Sequence, residues 1–339
     1  MKVLRILLKA PGGWTSGLDS CVRGEGRWAL NIARSLALMG HTVYAWSGGD
    51  PDRKYHSGVH LLSCAEASQL TDIDVYIDGG MYDGEIAPVT SKLEMTAFWN
   101  MEPRLLKALP ANRIIVYPYA TSKVNFHIPE NPNIGSTFFL PAPFTWDDPK
   151  PIRRSDNRDS RIFSTLRLPT YGLQDIQGTS AALIGEYFQQ AFGRSDEEKH
   201  LIVFPESSIQ ELQRNQVLGS GSITLYTAIA YNRLREIIRY CDINIPILTP
   251  ASILDATFEG TPTVIFEKGG FFTSVAEAHG LLVKKDTSAI EFGNIKETLL
   301  RDDQIRTKYL RDLQDFLSDH THYKFVQHFN QICKARDIL

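Results

Sequence analysis

"ILDATFEGTPTVIF", residues 253–266, is a helix and a strand written end to end. Asp255 and Glu259 are four residues apart, which puts them on one face of a helix. Gly260 breaks that helix and Pro262 turns the chain. The β-branched run Thr263, Val264 and Ile265 then leads into Phe266, as in a buried strand. A helix that feeds such a strand is half of a βαβ unit, and βαβ units build parallel sheets. The two acids therefore need an explanation: a solvated helix face, or a site where a carboxylate meets a ligand.

The same alternation extends in both directions. Upstream lie the strand candidate "RIFSTLRLP", a helix around 178–192, the strands "HLIVFPE" and "ITLYTAI", the helix "YNRLREIIRYC" and the strand "DINIPIL". Downstream, "HGLLVKK" is a further strand, and the chain from about 290 is helical. The N-terminal half repeats the scheme. A short apolar strand over 2–9 is followed by the Gly-rich "PGGWTSGLDSCVRGEG" and the helix "RWALNIARSLALMG", capped by Gly40. In that helix Ala29, Ile32, Ala33 and Leu36 form one apolar stripe. "HTVYAW", "DVYIDGG", "EMTAFWN", "RIIVYPY" and "STFFLPAP" supply further strands. Between the halves, Pro141, Pro143, Pro149 and Pro151 stand among charged residues with few apolar ones, the composition of a linker. The expected fold class is α/β, two Rossmann-like domains with parallel sheets facing across a cleft.

The bulk numbers agree with a globular α/β protein. The chain has 339 residues, 43% hydrophobic and 22% charged, enough for two cores. A net charge of −3 gives no general attraction to nucleic acid or acidic lipid. No segment approaches the ~18 apolar residues of a membrane span, and the N-terminus lacks the apolar core and cleavage site of a signal peptide. Cys21, Cys64, Cys241 and Cys333 have neither disulfide-framework nor zinc spacing, so they read as reduced thiols of a cytoplasmic protein. Neither a G-x-G-x-x-G fingerprint nor a P-loop is present.

Six segments in order resemble a GT-B glycosyltransferase, most closely the retaining enzymes of family 4. They are "GEGRWALNIARSLALMGHTVYAW", "FLPAPFTWDDP", "IFSTLRLPTYGLQDIQG", "LREIIRYCDINI", "LDATFEGTPTVIF" and "HGLLVKKDTSAI". The resemblance spans nearly the whole chain. It implies an N-terminal acceptor domain (1–145), a linker (146–159), a C-terminal donor domain (160–320) and a last helix (321–339) packing back toward the N-terminal domain. It also implies transfer of a sugar from a nucleotide diphosphate-sugar to a hydroxyl acceptor: a glycan, a lipid, a small molecule or a modified DNA base. No metal or other cofactor is implied.

By this resemblance Asp255 stands where the family has a Glu that meets the ribose hydroxyls. A carboxylate accepts two O–H bonds from a cis-diol, and helix N-termini favour phosphate. Gly12, Gly13 and Gly24, the turn Pro250-Ala251-Ser252, Arg167, Gln177 and Glu259 complete the expected donor site. Arg167, Asp255 and Asp78 are the candidate catalytic residues, and Asp78, Asn100 and Glu102 the acceptor-side ones. The segment "YTAIAYN" is where the family recognises the base. Two departures stand out: Ile247 where the family has its first Glu, and Gln177 where it has a Lys.

Each residue also has a plainer explanation. The glycines serve tight turns, Arg167 lies on the surface, and Asp255 and Glu259 line a solvated face. Asp72-x-Asp74 is a turn at the wrong sheet end for a metal-bound diphosphate, and His320-x-His322 is a solvated turn between helices. The rival functions are a phage-type DNA base glycosyltransferase of the same fold, a degenerate GT-B scaffold that binds without turnover, and a two-domain dehydrogenase.

Overall fold

The computed structural model describes residues 2–10, 24–47, 51, 54–78, 89–97, 113–117, 134–139, 143, 149–152, 160–167, 189–204, 222–226, 229, 231–246, 250–267, 272–284 and 286–339. Its contacts divide the chain into two compact units. Unit one is Met1–Trp146 with Asp319–Leu339, and unit two is Asp147–Ser318.

Unit one is built on an eight-stranded sheet. Its strands are β1 (Arg5–Lys9), β2 (Thr42–Trp46), β3 (Tyr55–His56), β4 (Val59–Leu62), β5 (Ile73–Asp78), β6 (Ser91–Ala97), β7 (Arg113–Tyr117) and β8 (Ile134–Phe139). Their order is β3-β4-β2-β1-β5-β6-β7-β8. All pairs are parallel except the β3–β4 hairpin. Strand side chains alternate between faces, and here both faces are covered. Ile6, Leu8, Val43, Ala45, Val75 and Ile77 pack on one side against α1 (Gly24–Leu38) and α8 (His322–Lys334). Leu7, Trp46 and Tyr76 point the other way, toward Ala67 of α2 (Cys64–Ala67). A strand buried on both faces reads as an unbroken apolar run, and every residue of β5 is buried. Helix α1 starts at Gly24, three residues before the expected Arg27, so Gly24 and Gly26 lie in its first turn. The buried stripe of α1 outweighs their poor helix propensity. Gly40 ends the helix at φ +84°, where His41 N–H meets Leu36 O (3.2 Å) and Gly40 N–H meets Ala37 O (2.9 Å).

Unit two holds β9 (Arg161–Arg167), β10 (Glu198–Phe204), β11 (Ile223–Tyr226) and β12 (Ile243–Asn244), ordered β11-β10-β9-β12 and all parallel. The opening stretch forms α4 (Pro250–Glu259), preceded by α3 (Tyr231–Tyr240). It then enters β13 (Ile265–Phe266), which pairs in parallel with β14 (Leu282–Val283). Thr263 does not join β13 but bridges to Asn244. Helices α5 (Phe272–Ala278), α6 (Ala289–Arg301) and α7 (Asp303–Leu317) follow. The Tyr309 hydroxyl of α7 donates to Thr263 O (2.9 Å). Residues 149–152, expected in the linker, are packed on this unit. Lys150 N–H donates to Phe258 O (2.8 Å), and the Gln314 amide donates to Lys150 O (3.0 Å).

The two units repeat one device. Asp74 accepts the Arg5 N–H at the start of β1 (2.9 Å), and Asp242 accepts the Arg161 N–H at the start of β9 (2.9 Å). Each of these arginines also lies over a tyrosine ring, Arg5 over Tyr44 and Arg161 over Tyr240. Burial opposes ionisation of Asp74, but Lys92 and the Arg5 N–H together hold its carboxyl below the usual range. Asp74 of the Asp72-x-Asp74 pair thus caps the amino end of β1.

Candidate donor and acceptor sites

In an open parallel sheet, ligands bind beyond the carboxyl ends of the strands, where the strand order reverses. In unit one the chain runs from β1 through β2 to β4 on one side, then crosses to β5 and continues on the other. The reversal lies between β1 and β5, whose last residues are Lys9 and Asp78. In unit two the chain runs from β9 through β10 to β11, then crosses to β12. That reversal lies between β9, which ends at Arg167, and β12, which ends at Asn244.

The opening stretch follows β12 directly, so the N-terminus of α4 opens at this carboxyl end. Pro250 is its first residue, a position where the missing N–H costs nothing. Ser252 in the same turn is buried. Asn244 ties strand to helix, its side-chain amide donating to Ser252 O (3.1 Å), while its N–H donates to Pro262 O (2.8 Å). The Asn244 Oδ1 is buried with no hydrogen-bond partner, which leaves one strong acceptor unmet beside this turn.

Every residue of α4 from Ser252 to Glu259 is buried, so neither acid lies on a solvated face. Asp255 is 7% exposed and Glu259 is 4% exposed. The Glu259 carboxylate pairs with Arg235 of α3 (2.5 Å) and lies 3.8 Å from Arg239. It therefore anchors α3 to α4. Asp255 sits one turn closer to the helix N-terminus and the carboxyl end of the sheet.

Of the other expected site residues, Gly24 lies in the first turn of α1. Arg167 ends β9 with its backbone paired to Phe204, and Pro250 and Ala251 open α4; the side chains of these three fall outside the described ones. Gly12, Gly13, Asn100, Glu102, Gln177 and Ile247 lie outside the described residues altogether. Asp78 is fully buried at the end of β5. His320 is no solvated residue: it is fully buried just before α8, whose N-cap Thr321 accepts the Lys324 N–H. Burial also pushes the His322 imidazole below its usual range.

Two residues escaped the sequence reading, Lys9 and Asn244. Lys9 closes a short apolar strand and looks like a surface residue, yet it is 5% exposed with its ammonium 5.3 Å from the centre of the Trp46 ring. Asn244 is a polar residue inside an apolar run, and that break in pattern is the signal that would have marked it. At Tyr226, the first residue of the "YTAIAYN" segment, the hydroxyl meets His200 Nδ1 (3.0 Å), and His200 Nε2 meets Glu198 (2.9 Å). This chain fixes the end of β11.

Among the described residues, no group of three His, Cys, Asp or Glu is placed to hold a metal ion, and no helix is long and apolar enough to cross a membrane. The described cysteines, Cys64, Cys241 and Cys333, are in no disulfide.

No protein-family model matches the sequence, and no curated protein matches it. Solved structures do match the fold. A glycosyltransferase from Rickettsia africae aligns over 99% of this chain and 99% of its own, with TM-score 0.64 and 12% identity. The trehalose-6-phosphate structure from E. coli, bound with UDP-2-fluoro glucose, aligns over 98% of each chain at TM-score 0.61 and 11% identity. The O-GlcNAc transferase of Thermobaculum terrenum aligns over 99% of this chain and 68% of its own at TM-score 0.57 and 14% identity. The fold is the GT-B fold of such glycosyltransferases.

Proposed function

We propose that the protein is a cytoplasmic glycosyltransferase that moves a sugar from a nucleotide diphosphate-sugar to a hydroxyl acceptor, with retention and without a metal. One observation carries the proposal: in a chain of GT-B fold, the switch point of unit two meets the N-terminus of α4 and, one turn on, the buried acid Asp255.

The diphosphate gains negative charge as the glycosidic bond breaks. The first-turn N–H groups of α4 and the Arg167 guanidinium stabilise that charge as it develops. Asp255 accepts the two hydroxyls of the ribose. The E. coli neighbour bound with UDP-2-fluoro glucose supports a donor of this class. Asp78, with Asn100 and Glu102, takes the acceptor on unit one. Retention rests on the resemblance to family 4.

The test is turnover of UDP- and GDP-sugars by the full chain, with and without EDTA. Arg167→Ala is expected to lower kcat/KM by ~100-fold or more, as for loss of one charge-stabilising donor. Asp255→Ala is expected to raise KM for the donor, and EDTA to leave the rate unchanged. Unchanged turnover in Arg167→Ala would remove its role. Ile247 and Gln177 favour a second reading, a scaffold that binds the nucleotide without turnover. Binding of a nucleoside diphosphate with neither transfer nor hydrolysis of its sugar would support that reading.

A further inference from the structure

Asn244 stands between Ile243 and Ile245, and all three are fully buried. Asparagine is a poor strand former, and an amide in an apolar interior is costly unless it is bonded. The backbone here needs no help from the side chain: the Asn244 N–H donates to Pro262 O (2.8 Å), and its carbonyl accepts the Val264 N–H (3.0 Å). The side-chain nitrogen donates to Ser252 O in the first turn of α4 (3.1 Å) and lies 3.4 Å from Thr263 Oγ1. A carbonyl only accepts, so Ser252 O fixes which end of the amide faces the helix. The other end, Oδ1, is buried and meets no donor. This is a poor arrangement for stability. In an α-helix the Ser252 carbonyl also accepts the N–H four residues on, and Thr263 Oγ1 donates to Thr261 O (3.5 Å). A leucine, with the same branched skeleton, would remove the unmet Oδ1 and leave neither partner orphaned. What the asparagine alone supplies is a bond from the end of β12 to the first turn of α4.

We propose that Asn244 is a positioning residue of the donor site: by tying Ser252 O to the end of β12, it holds the first turn of α4 in the orientation that presents the turn to a diphosphate. The proposal rests on the donor reading above and adds to it a residue that touches no ligand. The first turn of a helix is where it frays, and donors stabilise a charge best when they are already fixed. Asn244 fixes them from rigid ground, since it is paired with Phe163 of the central strand β9. Thr263 is held in turn by α7, where the Tyr309 hydroxyl donates to its carbonyl (2.9 Å). The unmet Oδ1 is then the stability that the fold gives up for the tie to Ser252.

The test uses the full chain, with UDP and GDP as probes by calorimetry, uridine and guanosine as phosphate-free probes by saturation-transfer NMR, and urea unfolding. Asn244→Leu is expected to weaken the bound nucleoside diphosphate about tenfold or more, the worth of one hydrogen bond. Its nucleoside should bind as to the wild type, and the urea midpoint should be unchanged or raised. Thr263→Val removes the other neighbour of the amide and keeps the tie to Ser252, so it should leave diphosphate binding unchanged. Asn244→Ala asks for no extra room and reads the same binding split if the leucine does not fit. A merely structural asparagine predicts the opposite pattern: a lower urea midpoint, with diphosphate and nucleoside weakened alike. That pattern, equal diphosphate binding by Asn244→Leu and the wild type, or an equal loss in Thr263→Val would each overturn the proposal while leaving the donor reading intact. A wild type that binds neither UDP nor GDP would defeat the donor reading, and this role with it.

Discussion

The Lys296 ammonium lies in the interior of unit two, 2.6 Å from Glu197, and also donates to Ala191 O (2.9 Å) and Gln190 O (3.1 Å). Burial pushes the Glu197 carboxyl up and the Lys296 ammonium down, and pairing opposes both shifts. Lys296→Met removes the closest partner of Glu197 and leaves the 3.9 Å contact to Arg194 and the nearby Lys199 ammonium, so urea unfolding should show a loss of about 3–5 kcal/mol. The double variant Glu197→Gln, Lys296→Met should recover much of that loss; an equal or larger loss would show that the charge pair was not the cause. His41 gives a pH dependence. Its Nδ1 accepts the Leu4 N–H (3.2 Å), and burial holds the imidazole below its usual value of 6.5. The unfolded chain therefore takes up the proton first, and stability present above that value is lost as pH falls below it, by up to about 1.4 kcal/mol per pH unit. His41→Asn, which can still accept the Leu4 N–H, should flatten this acid limb in denaturation curves at pH 7.5 and 5. The sequence showed Asp255 as a candidate because a family motif covers its helix, and Asp78 because it ends an apolar strand just before Gly79-Gly80. It hid Lys9 and Asn244 because their meaning depends on which strand lies beside them, and strand order is not local information.

The glycine that ends α4 matters more than the one that ends α1. Gly260 has φ +77°, and a Cβ there would meet Pro151 O at 2.6 Å; Gly40 has φ +84° with nothing within 4 Å. Gly40→Ala should cost only the left-handed backbone, about 1–2 kcal/mol. Gly260→Ala adds a clash with a backbone carbonyl and should cost clearly more by urea midpoint; equal losses would show that residues 149–152 yield freely. Helices α1, α3 and α4 and the strands β1, β2, β5, β9, β10 and β12 were legible because their apolar periods are intact. The hairpin β3–β4 and helix α2 were not. They are too short for a period to show, although Ser63 and Glu66 form a capping box that marks the start of α2. The start of α1 was missed because glycine predicts a loop where tertiary packing enforces a helix.

The last helix belongs to the first core. Phe325, Val326, Phe329, Ile332 and Cys333 of α8 are buried in the cluster built on β1, β2 and α1, and Lys2 donates to Ile338 O (2.7 Å). Burying such side chains contributes about 1.5–3 kcal/mol each, comparable in sum to the whole stability of a domain. A chain ending at Ser318 should therefore lose the unfolding transition of unit one while keeping that of unit two, by calorimetry; two intact transitions would show that α8 is dispensable. The central claim is that unit two carries a nucleoside diphosphate site at the N-terminus of α4. Thermal unfolding against UDP, GDP, ADP, CMP and NAD tests it most directly. One nucleoside diphosphate at 100 times its dissociation constant should add about 2.7 kcal/mol to stability, and Asp255→Ala should remove most of that gain. No shift with any nucleoside diphosphate, or a shift with NAD alone, would contradict it.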